Sequence, residues 1–262
     1  MAKRPRAGGD PERRMSLAEH LIELRRRLTI AAIAILLGAI GGFFLSNWVI
    51  DLLVVPIDAV ADERNIQLAY TTLTEQFDLR FQIAIALSLL LTSPVWLYQV
   101  FAFFVPGLTK REKRYTLGFF FTAVPMFLAG GFVGLLIFPH MVALLTSFST
   151  TELTVTNLSA RPYYDFVIKL VLAVGVAFVL PVFLVLLNFL GVISAKAILK
   201  GWRVAILIIT LFCATATPAA DIVTMFLLAI PMVLLYFGAA GVAVWHDRGV
   251  AKREAALETE LA

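Results

Sequence analysis

One cysteine, Cys213, occurs in the 262 residues, so the chain can form no internal disulfide and carries no redox framework. Histidine is nearly as scarce. His20, His140 and His246 fall outside or at the edges of the apolar stretches, with no Cys/His spacing suited to a metal. Neither a GxSxG elbow nor a phosphate-binding glycine loop is present, which leaves nothing on which a hydrolase or kinase would be built. No catalytic residue, cofactor or metal is expected. The largest deficit is charge: 15% of residues are charged and 60% are hydrophobic, far from the averages of soluble domains.

The charges are also segregated. Asp, Glu, Lys and Arg are absent from residues 29–50, 81–109, 115–151, 170–195, 204–220 and 222–245. A hydrocarbon layer penalises each buried charge by about 2.5 kcal/mol or more, and segregation of this kind is its consequence. Because the runs lack period-2 alternation, they point to helices rather than barrel strands. The expected fold is an all-α, polytopic membrane protein with six transmembrane helices. Residues 1–28 form an amino-terminal segment with an amphipathic helix, 29–246 the membrane domain, and 247–262 a charged, solvated tail.

Within those runs several boundaries can be placed. The third is too long for one crossing, and Pro139 followed by Ser/Thr-rich text puts its span at about 115 to 138, with a loop after it. Run 204–220 would rise about 26 Å as a helix, short of the roughly 30 Å hydrocarbon core, so local thinning of the bilayer is expected there. Pro94, Pro125, Pro181 and Pro231 lie inside runs and read as kinks serving packing. Asp165 and Lys169, spaced i, i+4, read as an ion pair.

Basic residues then set sidedness. Lys3, Arg4, Arg6, Arg13, Arg14, Arg25, Arg26 and Arg27 precede the first run, four more occupy 110–114, three occupy 196–203 and three the tail. Only Arg64, Arg80, Arg161 and Lys169 fall on the other side. By the positive-inside rule both termini face the cytoplasm. The net charge of +4 is thus topogenic, and no nucleic-acid partner is expected. Arg13 and Arg14 in RRMSL look like an export signal, but the helix that follows is charged and the apolar run too long for a cleavable leader.

The chemistry lies on the cytoplasmic side. Ser16 and Glu19 form a capping box, and Leu17, Leu21, Leu24 and Leu28 recur with helical period. On that helix Glu19 and Glu23 share a face away from the leucines, with His20 beside them. Two readings of these acids stay open: they balance Arg25, Arg26 or Arg27, or they are free for a ligand. Glu112 is the lone carboxylate in LTKREKRY. If Glu23 and Glu112 faced one groove they would accept two guanidinium groups, since the planar Arg fork matches a carboxylate bidentately and Lys does not.

Four blocks, SLAEHLIELRRRL, TEQF, SPVWLYQVFAFFVPGLTKREKR and LLAIPMVLLY, together resemble the TatC family, the receptor and core membrane subunit of the twin-arginine protein translocase. The resemblance implies a concave, glove-like bundle in the inner membrane of a prokaryote. It also implies binding of the arginine pair of a precursor's signal peptide, and export of folded proteins driven by the proton-motive force. By position in these motifs, Glu23 and Glu112 match the acids that recognise the arginine pair. His20, Arg25, Gln99 and Phe103 match further positions on or near that face. The partners implied are the single-span subunits TatA and TatB, twin-arginine precursors and further copies of the chain. Thr215, Thr217, Asp221 and Thr224 are the candidate partner-helix cluster, with capping of the TPAAD turn by Asp221 as the competing reading. Pro56, Glu75 and Phe77 match positions in the outer caps.

Three departures from the family pattern stand out. Val179 occupies the place of a Glu in an FExP text, Phe237 follows Tyr236 where LYE is common, and Met225 stands where many members have Gln. The competing class is a secondary transporter of a small solute, which would place ionisable groups at mid-membrane and show two related halves. Neither feature is visible. A pure scaffold would have no reason to keep the cytoplasmic acids.

Overall fold

The computed structural model describes residues 17–64, 66–104, 110–147, 156–216 and 222–261. In chain order the elements are α1 (Leu17–Arg64), β1 (Ile66–Ala69), α2 (Glu75–Leu91), α3 (Ser93–Phe104), α4 (Lys110–Ser147), β2 (Thr156–Ser159), α5 (Ala160–Phe189), α6 (Ala195–Lys200), α7 (Trp202–Ala216) and α8 (Ile222–Leu261). Helices α1, α4, α5 and α8 are long and apolar enough to cross a membrane, and α2 with α3, bent by 60° at the break, are so as a pair. The remaining apolar helix, α7, has 15 residues, which rise about 22 Å and leave it shorter than the hydrocarbon core.

Several boundaries differ from the sequence expectation, each for an identifiable reason. The run 81–109 is not one straight span. It breaks at Thr92, because Pro94 has no N–H to continue the ladder, and the indole N–H of Trp96 donates to the carbonyl of Leu89 across the break (2.8 Å). Helix α4 does not stop near Phe138 but runs through Pro139 to Ser147. Ile137, Phe138, Met141 and Val142 are buried on that stretch, and packing sustains a helix through the one missing hydrogen bond. The charged segment that follows the first apolar run, from Asp51 on, is largely a continuation of α1, which carries Pro56 inside it. Beyond it, Ile66–Ala69 pairs with Thr156–Ser159 as a parallel ladder, Ile66 opposite Thr156 through Ala69 opposite Ser159, which ties the segment before α2 to the one before α5. The tail is helical to Leu261. The expected cap at Ser16 lies outside the described residues.

The core is continuous from α1 to α8, and α5 is its centre: Tyr164, Leu170, Val174 and Leu186 are almost fully buried. Small residues let α4 and α5 approach closely. A Cβ on Gly130 would stand 2.7 Å from the carbonyl oxygen of Val174 and 2.9 Å from Cα of Gly175. In lipid such close backbone packing, rather than hydrophobic exclusion, holds helices together. Gly130→Val is therefore expected to cost about 1–3 kcal/mol through overpacking. Thermal unfolding in detergent should show a lowered midpoint, whereas Gly238→Ala, with open space around it, leaves the midpoint unchanged or raised. Equal midpoints for the two variants would refute the packing argument.

At its far end α5 closes on Gly191, the left-handed residue (φ 72°) that suits a helix C-cap, with Val192 N–H donating back to Leu187. There Asp247 accepts from the backbone N–H of Ala195 (2.8 Å) and from Asn188 Nδ2 (2.9 Å), joining α5, α6 and α8. The first residue of the supposed solvated tail is thus a structural anchor.

Candidate functional site

His20, Glu23, Leu24 and Arg27 recur at i, i+3, i+4 and i+7 and form the half-buried face of α1 that meets α3. The amphipathic helix is thus turned opposite to the simplest expectation. Leu21 and Leu28 are exposed (63% and 60%), while the polar residues look inward. This orientation is stable because each inward polar group finds a partner on the same helix or on α3. The imidazole of His20 stacks on the ring of Phe103 at 4.4 Å, and Arg27 Nη1 donates to Gln99 Oε1 at 3.4 Å.

Glu23 is the centre of the cluster. One carboxylate oxygen, Oε1, accepts from Arg27 Nε (3.0 Å) and Nη2 (2.5 Å). Its other oxygen, Oε2, is shielded and takes no hydrogen bond. The side chain is 19% exposed. Of the three arginines left open as partners, Arg27 is the one engaged, and the acid is therefore not free in this state. Arg25 is exposed, and its carbonyl accepts from Thr29 Oγ1 (2.8 Å). The fold thus gathers His20, Glu23, Gln99 and Phe103 but leaves Arg25 outside, and recruits Arg27 instead. Glu112 belongs to the first turn of α4, and its side chain lies outside the described residues.

Arg27, Gln99 and Phe103 of this cluster also line an apolar cleft of about 340 Å³, so Glu23 and His20 stand beside it through their partners. Leu24, Trp96, Val100, Phe127, Leu172 and Val176 are among its apolar walls. The bend between α2 and α3 creates the concavity, since a straight helix from Glu75 to Phe104 would not curve around the space facing α1. A carboxylate–guanidinium pair beside aliphatic and aromatic walls suits an extended ligand with a cationic end and an apolar continuation.

At the opposite end Glu75 is 2% exposed and binds four donors. Its Oε2 accepts from Thr71 N–H (2.6 Å), Thr71 Oγ1 (2.7 Å) and Thr72 N–H (3.3 Å), and Oε1 accepts from Arg161 N–H (3.0 Å). The carboxylate clamps the turn before α2 to the start of α5. Phe77 is exposed and packs edge-on against Phe81 at 4.7 Å, which in turn meets Phe43 of α1. The side chain of Pro56 lies outside the described residues. Asp165 takes its hydrogen bond from Gln82 Nε2 (2.5 Å) in place of the ion pair expected with Lys169, because α2 brings that amide closer than a turn of α5 does.

The candidate partner cluster is only partly visible. Thr215 is exposed and donates back to the carbonyl of Phe212 (2.8 Å), whereas Thr224 is buried. Thr217 and Asp221 lie outside the described residues. Val179 is half-buried and packs among apolar neighbours of the core around Phe127 and Leu186, so the site lacks an intramembrane carboxylate there without leaving a gap. Met225 is half-buried against the core and Phe237 is 43% exposed.

Comparison with known proteins gives a consistent result. A family model described as Sec-independent protein translocase protein (TatC) matches residues 19–231. A protein of that name from Xylanimonas cellulosilytica is 44% identical over 245 residues, covering 93% of this chain and 88% of the relative. The relative named TatCy from Bacillus subtilis is 32% identical, with 85% and 86% covered. A crystal structure of a twin-arginine translocase receptor, TatC, superposes with a TM-score of 0.74 at 32% identity, covering 86% of this chain and 99% of the other.

Proposed function

Because the chain belongs to the TatC family of Sec-independent protein translocase proteins, we propose that it is the subunit that binds the arginine pair of a signal peptide, with Glu23 and Glu112 as the receiving acids. Membership makes it a multi-pass component of twin-arginine translocation; the binding chemistry is the further step. One observation carries it: Glu23 already holds a guanidinium, that of Arg27, and Arg27 lines an apolar cleft. Arg27 shows the geometry an incoming arginine would adopt. An incoming arginine replaces one guanidinium by another of the same geometry, so Glu23 is never left without a partner and the exchange itself costs little.

In this reading the peptide's arginines sit on Glu23 and Glu112, with Gln99 and the His20–Phe103 stack bordering them. The apolar remainder of the signal continues past Leu24 toward Trp96 and Phe127. Both termini face the cytoplasm, on the strength of the Lys/Arg bias. TatA and TatB supply the other single-span helices, further copies of the chain assemble with it, and the proton-motive force drives export. The test is site-specific photocrosslinking from positions 23 and 112 to a twin-arginine signal peptide, with a lysine-pair peptide as control. Capture of the arginine form at least about tenfold over the lysine form is expected, since only the arginine forms two parallel hydrogen bonds. Equal capture of both peptides overturns the assignment.

A further inference from the structure

A second apolar groove lies between α5 and the α6–α7 segment, at the same end of the bundle as the Glu23 cluster but on different helices. Its volume is about 590 Å³, and Ala177, Leu184, Gly201, Val204, Ile208 and Met232 are among its walls. Its one polar side chain, Tyr236, is satisfied, the hydroxyl donating to the carbonyl of Ile198 (2.6 Å). Along α5 its lining runs from Leu184 to Ala177, about 10 Å, and on the facing wall from Ala197 through Gly201 to Ile209. An elongated, apolar trough of this kind fits an acyl chain rather than a compact polar solute.

The mouth of the groove carries unneutralised positive charge. Lys196, Lys200 and Arg203 recur at i, i+4 and i+7, beside the stripe of Ala197, Gly201, Val204 and Ile208 that lines the groove. All three are exposed, and among the described residues the ion pairs involve Arg27, Arg161 and His246, not these three. Asp247, the acidic residue tied to α6, has its oxygens turned to Ala195 N–H and Asn188 Nδ2. Trp202, 43% exposed, lies beside them with the Arg203 guanidinium 5.6 Å from its ring centroid, as expected of an aromatic at headgroup level. The shortness of α7 draws the polar surface inward at this point.

From this juxtaposition we infer that the groove is a binding site for one anionic phospholipid, its phosphate held by Lys196, Lys200 and Arg203 and one acyl chain lying along Gly201, Val204 and Ile208. Basic residues above an interhelical groove bind anionic lipid headgroups by charge, and the concave apolar floor adds retention that a flat lipid-facing helix lacks. The site involves neither Glu23 nor a signal peptide, so its test is independent of the reading given above.

The test uses the full chain purified in detergent, with phosphatidylglycerol or phosphatidylcholine added back. Retained lipids are counted by native mass spectrometry and unfolding midpoints are recorded in parallel. Phosphatidylglycerol should be retained about tenfold or more over phosphatidylcholine. The triple variant Lys196→Gln/Lys200→Gln/Arg203→Gln should lose that preference, while Arg248→Gln/Lys252→Gln/Arg253→Gln on exposed α8, with the same change in charge, keeps it. Val204→Trp should lower retention of both lipids by filling the groove, and Ile208→Trp serves the same purpose should the first variant fail to fold. Phosphatidylglycerol should also raise the unfolding midpoint more than phosphatidylcholine does; equal retention of the two lipids by the wild-type chain, persistence of the preference in the first triple variant, or an equal rise of the midpoint with inorganic phosphate alone would each overturn the site.

Discussion

Glu23→Lys and Glu112→Lys should each reduce export of a twin-arginine precursor by at least about thirtyfold in cells lacking the wild-type chain. Truncating one member of a desolvated, hydrogen-bonded charge pair costs about 2–5 kcal/mol, and each 1.4 kcal/mol is a factor of ten in affinity. Glu23 is partly shielded by α3 and holds a guanidinium through two N–H groups, so its pairing falls in that class rather than among exposed ion pairs. Reversal goes further than removal, since a lysine at 23 would face Arg27 and repel an incoming arginine together with it. Glu23→Gln keeps the size and one acceptor oxygen and should fall between the two. Because both acids receive one motif, the double reversal should cost less than the sum of the single ones. Glu254→Lys, on the exposed end of α8, changes the net charge equally and should leave export intact. If precursor export survives Glu23→Lys and Glu112→Lys at the level of that control, the receptor assignment fails.

Glu75→Ala should be the most damaging substitution at the opposite end of the bundle. It would leave the N–H groups of Thr71, Thr72 and Arg161 without their acceptor, together with the Thr71 hydroxyl. Unsatisfied buried donors are costly because nothing replaces the lost water. A fall in the unfolding midpoint of about 5 °C or more is expected, with faster proteolysis of the segment before α2. Glu75→Gln retains a carbonyl acceptor but turns an NH2 group against existing donors, so an intermediate loss is expected. Equal midpoints for the alanine variant and the wild type would remove Glu75 from the clamp role. The β1–β2 pairing spans the same two segments, and that is why loss of one carboxylate is felt across both caps.

The fold was legible in outline because hydrocarbon imposes a rule that needs no tertiary information. A charge in the apolar layer is expensive, so the uncharged runs mark the helices, and the motif blocks marked the family. Boundaries were less legible. Pro94 and Pro139 carry the same local chemistry, yet the chain bends sharply next to the first and stays in one helix through the second. What differs is the environment: buried residues follow Pro139 on the face that packs against the core, whereas Trp96 reaches back to Leu89 and stabilises the break. The strand pair was invisible because each partner has four residues and they are joined only through three intervening helices.

The candidate site shows the same division. That Glu23 lies next to the apolar entrance, and that an arginine one helical turn away would be within its reach, follow from sequence and helical periodicity alone. Which arginine, and which face of α1 turns inward, were decided by α3: Gln99 gives Arg27 a second acceptor and Phe103 gives His20 a stacking surface, and Arg25 has neither. Asp165 chose Gln82 over Lys169 for a similar reason, since the distance across a helix pair is set by packing and not by spacing in the chain. Sequence by itself determined where charge can and cannot go, because transfer energies belong to individual residues. Only the tertiary structure decided who partners whom, because a hydrogen bond depends on the relative placement of two groups, and for groups on different helices that placement exists only once the helices have packed.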